Sequence, residues 1–128
     1  MYHAIKSAKD IQHFLDKTNA LHDGYIIGVQ YVNSGISRVD GGHYFDPART
    51  KLILRILVTS IYDAIVEIEF EDLAEWQIRD DQMDITDTSV MFDDRGWIIW
   101  SDDTYISMAE VKKGSYAIAG AMRWRIVE

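Results

Sequence analysis

The chain opens with a helical pattern and then changes period. Ser7-Ala8-Lys9-Asp10 has the chemistry of a helix start, with Ser7 placed to accept the backbone N–H of Asp10 and the carboxylate favourable in the first turn. Ile11, Leu15 and Thr18 share one face, flanked by Phe14. This predicts a helix of about three turns whose narrow apolar stripe must lie on another surface to be stable. Asn19-Ala20-Leu21 ends it. From Gly24 the period becomes two: Tyr25, Ile27, Val29 and Tyr31 alternate with Ile26, Gly28, Gln30 and Val32, a first strand.

Residues 33 to 50 hold the Gly, Asn, Ser and Asp-Pro chemistry of a long loop with a small hairpin at its tip. Leu52, Leu54, Ile56 and Val58 then alternate with Ile53, Arg55, Leu57 and Thr59, a strand apolar on both faces apart from Arg55 and therefore central. After a turn at 60–63, Val66, Ile68 and Phe70 alternate with Glu67, Glu69 and Glu71. That pattern predicts one dry face and one acidic face turned to water or to a partner. Leu73, Trp76 and Ile78 read as a short further strand or a turn of helix. Val90-Met91-Phe92 and Trp97-Ile98-Ile99-Trp100 flank Asp93-Asp94-Arg95-Gly96, a hairpin pattern, and Thr104 to Met108 adds another strand. The last run, Tyr116 to Val127, keeps period two for longest and has the length to close or span a sheet.

Short connections and a lack of crossover helices argue against a parallel βαβ arrangement. The expected fold class is α+β: an N-terminal helix packed on a curved or half-closed antiparallel sheet of about six to eight strands, with residues 1–128 forming a single domain.

Charge and composition then narrow the function. Twenty-one acidic residues face thirteen basic ones, for a net charge of −8. This disfavours nucleic acid and anionic membrane, which ask for a basic stripe, and no stretch approaches the roughly 20 apolar residues of a membrane span. Zero cysteines exclude a disulfide scaffold and any thiolate metal site. The first residues, Met1-Tyr2-His3-Ala4-Ile5-Lys6, lack the pattern of a secretory signal, so a cytoplasmic protein is expected.

No polar set with catalytic spacing stands out, so no catalytic residue, cofactor or metal is assigned. His22-Asp23 has the order of the metal-binding doublet of helical HD phosphohydrolases, but it sits at a helix-to-strand junction without that motif's other histidines. A capped turn explains it. Glu67, Glu69 and Glu71 lie about 6 to 7 Å apart along one strand face, a spacing that inverting glycosidases use. An exposed face, however, does not supply the burial that raises a general acid's pKa. Asp80, Asp81, Asp84 and Asp87 open a run of eight aspartates reaching Asp103, with the ligand type for calcium but not the EF-hand spacing; they form a candidate acidic or cation patch. Trp97 and Trp100 point to opposite faces of their strand, so one of them lies nearer the surface as a candidate partner-facing aromatic.

The segment Leu21-His22-Asp23-Gly24-Tyr25-Ile26-Ile27-Gly28-Val29-Gln30-Tyr31, then Leu52 to Ile56 and Val66 to Phe70, resembles a group of small bacterial β-rich proteins. Asp94 to Asp102 and Ala121-Met122-Arg123-Trp124-Arg125 continue the same layout. Some members of that group are similar to immunity proteins of bacterial toxin systems, and the resemblance brings no catalytic residues with it. It implies an immunity-type protein, and the charge sign and the Glu67, Glu69 and Glu71 face, with Trp97 and Trp100 as candidate aromatics, point to a non-enzymatic protein-binding module that masks a basic partner. The alternative is a small-ligand or cation-binding β-fold with a pocket between helix and concave sheet, lined by aromatics.

Overall fold

The computed structural model describes residues 1–33, 49–105 and 107–127, together with the backbone of 36–39 and 42–45. Helix α1 (Ala8–Thr18) starts as its sequence predicts, with the Ser7 hydroxyl accepting the Asp10 N–H at 3.3 Å. Phe14 and Thr18 are its buried residues, while Ile11 and Leu15 are only partly covered. The dry stripe is therefore centred on Phe14, the residue expected at its flank.

The strands are β1 (His3–Ala4), β2 (Gly24–Asn33), β3 (Ile36–Val39), β4 (Gly42–Phe45), β5 (Thr50–Val58), β6 (Ala64–Gln77), β7 (Asp84–Ile85), β8 (Ser89–Phe92), β9 (Ile98–Ser101) and β10 (Tyr116–Val127). Eight of them form one antiparallel half-barrel in the order β7-β2-β5-β6-β10-β9-β8, with β1 added to β10 beyond the end of β9; β3 and β4 pair only with each other. As its doubly apolar pattern requires, β5 is interior. The long β10 spans the sheet, pairing with β6 on one side and with β9 and β1 on the other.

Two expectations are corrected. Leu73 and Trp76 do not begin a new element. β6 runs through them, because Asp72 takes a left-handed conformation (φ 56°) and the strand resumes after the irregularity. Among the described residues of Thr104–Met108 the expected strand does not form: Thr104 and Tyr105 are irregular, and Ser107 caps a short helix α2 (Met108–Val111) by accepting the Glu110 N–H. A hydroxyl three residues before a glutamate overrides the weak alternation there.

Bulges also redistribute side chains between the faces. Ile26 stands opposite Ile56 on the concave face, but the register slips at Ile27, so Gly28 meets Arg55 on the convex face and Val29 and Tyr31 fall in line with the buried Leu54 and Leu52. The single alternation read from Tyr25 to Val32 is therefore two half-patterns of opposite sense. In β10 the register with β6 slips between Ile118 and Ala119, and the buried side chains change sense across Gly120. Ala117 and Ala119 face the core before it, and Met122 and Trp124 after it. A side chain at Gly120 would have its Cβ 2.6 Å from Asp72 Oδ2, so only glycine fits across from that turn of β6.

The core fills the concave face: Phe14 and Leu21 from the N-terminal helical segment meet Leu52, Leu54, Ile56, Ile68, Phe70, Trp100 and Trp124. Phe14 lies edge-on to Trp124 at 5.4 Å, and Phe70 is tilted against Trp100 at 5.9 Å. These aromatic side chains fill much of the space between helix and concave sheet, and a cavity of about 300 Å³ lined by Met1, His3, His13, Lys17, Trp124 and Ile126 remains between α1 and the β1–β10 edge. On the convex side a smaller cluster of Ile99, Val111 and Tyr116 packs under α2. Among the described residues no helix is long and apolar enough to cross a membrane.

Candidate functional site: a neutralised glutamate ladder and an acidic pole

Glu67, Glu69 and Glu71 share the convex face of β6, as their alternation predicts, but the expectation that this face is exposed is corrected. Glu67 and Glu69 are each only 4% exposed. The register explains why: Glu67 lies between Arg55 on β5 and Arg125 on β10, Glu69 is opposite Arg123, and Glu71 is opposite Lys51. Glu67 is held by Arg55 and Arg125, each at 3.0 Å, and by the Tyr2 hydroxyl; Glu69 is held by Arg123 at 2.7 Å and Lys51 at 3.1 Å. Tyr2 spreads its ring beneath both guanidiniums, 4.2 Å from that of Arg123 and 4.6 Å from that of Arg125.

Burial alone pushes the Glu67 carboxyl up, yet Tyr2, Arg125 and Arg55 together outweigh it and hold the group below its ordinary value. Glu69 is held low in the same way, with Lys51, Tyr2 and Arg123 outweighing burial. Burial between two carboxylates pushes the Tyr2 hydroxyl up to about 12. A carboxyl kept ionised by cations is the opposite of a general acid, so the glycosidase spacing carries no chemistry here. Three carboxylates meet four cations, and the ladder presents no acidic face.

The two tryptophans are not brought to it. Trp100 is fully buried in the concave core, on the other side of the sheet, and Trp97 is half-buried in the β8–β9 turn, where its backbone N–H donates to Asp93 at 2.9 Å. The correction for Trp100 has a simple cause. It pairs with Ala117 and Val90, whose small side chains leave the volume its indole occupies.

The unneutralised negative charge collects where three turns meet. Segments 19–24, 59–64 and 84–88 contain Asp23, Asp63, Asp84 and Asp87 and no Lys or Arg. The Ser60 hydroxyl donates to the His22 carbonyl at 2.7 Å and the Thr59 hydroxyl to the Asp23 carbonyl at 3.0 Å, tying the β5–β6 turn to the segment before β2. Thr88 N–H donates to the Ala20 carbonyl at 2.8 Å, bringing in the third turn. His22 Nδ1 lies 3.0 Å from Asp87 Oδ1 and 2.9 Å from the Thr86 carbonyl, with Nε2 3.4 Å from Asp23. The Asp87 carboxylate first, then the Thr86 carbonyl and Asp23, raise the His22 pKa above its ordinary value. The His22-Asp23 doublet is a clasp between turns.

Asp84 is exposed on the edge strand beside Tyr25, and Asp63 and Asp23 are exposed in their turns. Asp80 is exposed nearby in sequence, and Asp81 is bound by Arg79 at 2.8 Å. Among the described residues no three His, Asp or Glu side chains converge as a metal site. The four aspartates from Asp80 to Asp87 are a patch without a coordination shell.

Tyr62 completes the pole and was missed in the sequence. It is fully exposed and holds φ at 61°, followed by Asp63 at 58°. Six of the seven non-glycine residues with positive φ among the described residues, Asn19, Ala20, Leu21, Asp23, Tyr62 and Asp63, belong to these turns. Each such residue outside Asn and Asp costs about 1–2 kcal/mol. A turn was legible at 60–63, but its hand was not, because Tyr-Asp is not a left-handed turn pair by composition.

Comparison with protein-family models, with characterised proteins and with solved structures gives no match.

Proposed function

We propose that this chain is a non-enzymatic protein-binding domain of the immunity type, and that its acidic pole docks a basic face of another protein. The observation that carries the reading is Tyr62, fully exposed on a left-handed turn beside aspartates that no Lys or Arg of their own segments neutralises. An exposed aromatic with a polar tip is a favoured interface anchor, and surrounding charge of one sign steers a complementary partner. Retained backbone strain at this end fits a surface kept for contact more than for stability. The glutamate ladder supports this role less, because its charges are paired across strands.

The test is affinity capture from the lysate of the source cells with the wild type, a Tyr62→Ala/Asp63→Lys/Asp84→Lys variant and a Glu71→Lys control, followed by identification of what is retained. A basic protein held by the wild type and the control, lost from the pole variant and released by salt is the expected result. Equal retention by the pole variant, or no basic protein retained at all, would remove the pole as a docking surface.

A further inference from the structure

One edge of β2 is paired with β5 along the strand, whereas the other is covered by β7 at Gly24 and Tyr25 and by the Met83 carbonyl, which accepts the Ile26 N–H at 2.9 Å. From Gly28 to Val32 that second edge meets no strand among the described residues, since β3 and β4 pair only with each other. Free edges are ordinarily guarded by lysine, proline or inward-pointing charge. Gly28-Val29-Gln30-Tyr31-Val32 has none of these, in a chain of net charge −8. Its bulge lies upstream, at Ile27, and beyond it the register with β5 is regular. On the concave side Val29 is 42% and Tyr31 44% exposed, and Tyr31 stacks at 5.6 Å on Trp76, which is also exposed. The edge is thus uncharged, regular and faced by uncovered apolar surface.

We propose that this edge pairs antiparallel with the same edge of a second copy of the chain, about a two-fold axis at Gln30. That centre uses the regular stretch from Gly28 to Val32 beyond the bulge. It sets Val29 opposite Tyr31 of the second copy and Tyr31 opposite its Val29, two aromatic to β-branched pairs on the concave face. On the convex face Val32 fills the space over Gly28, and Gln30 meets its own copy amide to amide. The contact is isologous and closes as a dimer, with no further free β2 edge to propagate. The charge decides for a second copy over a basic strand: a neutral edge offers lysine or arginine no partner, while it lets two strongly acidic chains approach without placing charge against charge.

The measurement is sedimentation equilibrium of the full chain across protein and salt concentration. A monomer–dimer equilibrium whose dimer fraction rises with salt is expected, because screening relieves repulsion between two acidic bodies. Gln30→Lys places two lysines together on the axis and is expected to give monomer at the same concentrations, whereas Gln30→Asn keeps the dimer; Gln30 is exposed, and circular dichroism and thermal melting check that both variants fold. A chain that stays monomeric at every salt concentration would overturn the proposal, as would a dimer that Gln30→Lys leaves intact. This contact and the pole are distinguishable, since binding at the pole weakens with salt.

Discussion

Glu67, Glu69 and Glu71 on β6 and Asp23, Asp63, Asp84 and Asp87 at the turns carry the same kind of charge and meet opposite fates. The glutamates sit mid-strand between β5 and β10, so every second position of each neighbour looks at them, and Lys51, Arg55, Arg123 and Arg125 occupy those positions. The aspartates sit in turns whose neighbours are other turns, tied together by hydroxyl-to-carbonyl bonds, and what reaches the Asp23 and Asp87 carboxylates is one imidazole. Pairing across strands is registered and dense, whereas pairing between turns is not. The count of acids in a segment therefore says little about where negative potential reaches solvent.

The largest effect that separates the two regions is expected from truncating the ladder. Glu69→Ala leaves Lys51 and Arg123 facing each other without their carboxylate, and should cost about 2–3 kcal/mol in urea denaturation, the low end for a broken buried pair because both cations still reach water. A loss below about 0.5 kcal/mol, typical of a surface site, would show that the ladder is no more structural than the pole.

Acid should act on the same side of the comparison. Glu67 and Glu69 have folded pKa values depressed below their ordinary 4.5, so their contribution is present above that pH and is lost as pH falls through the depressed values. Melting followed from neutral to acidic pH should fall in this window. In a Glu67→Gln/Glu69→Gln variant the fall should be shallower, from a lower starting stability.

Tyr62→Gly tests the pole from the other direction. The side chain is fully exposed and its backbone left-handed, so glycine removes strain and no packing, and stability should rise by about 1 kcal/mol. Binding to a basic partner should weaken in the same variant. A loss of stability would mean that the tyrosine ring is structural.

Smaller still is the effect on the His22 clasp. Its folded pKa is raised above the ordinary 6.5, so the stabilisation is complete below that value and is lost as pH rises through the raised one. Asp87→Asn should move the imidazole titration to lower pH in NMR spectra with little change in melting. The smallest change is expected from Asp84→Lys, within about 0.5 kcal/mol of wild type, because nothing in the fold depends on that carboxylate.

Much of the architecture was legible in particular residues. Ser7 before Ala8-Lys9-Asp10 marked the cap, the doubly apolar run from Leu52 to Val58 marked an interior strand, and Asp93-Asp94-Arg95-Gly96 marked a hairpin turn that Gly96 enters at φ 84°. These are signals between residues close in sequence. The bulge at Ile27 and the change of face across Gly120 were not legible, because each depends on what the neighbouring strand presents: Arg55 beside Gly28, Asp72 against Gly120. Reading alternation straight through them assigned Val29 and Tyr31 to the face opposite their true one.

The candidate site divides along the same line. By itself the sequence determined the helix, the longer strands, the antiparallel class and the net charge, since cap chemistry, period and composition act over a few residues or over none. Only the tertiary structure decided that the glutamates of β6 are cancelled by cations from two other strands, that Trp100 is core, and that Asp23, Tyr62 and Asp87 share one end of the sheet. Charge is neutralised over a few ångströms of space, and residues as far apart in sequence as Glu67 and Arg125 reach that distance only when the strands take their register.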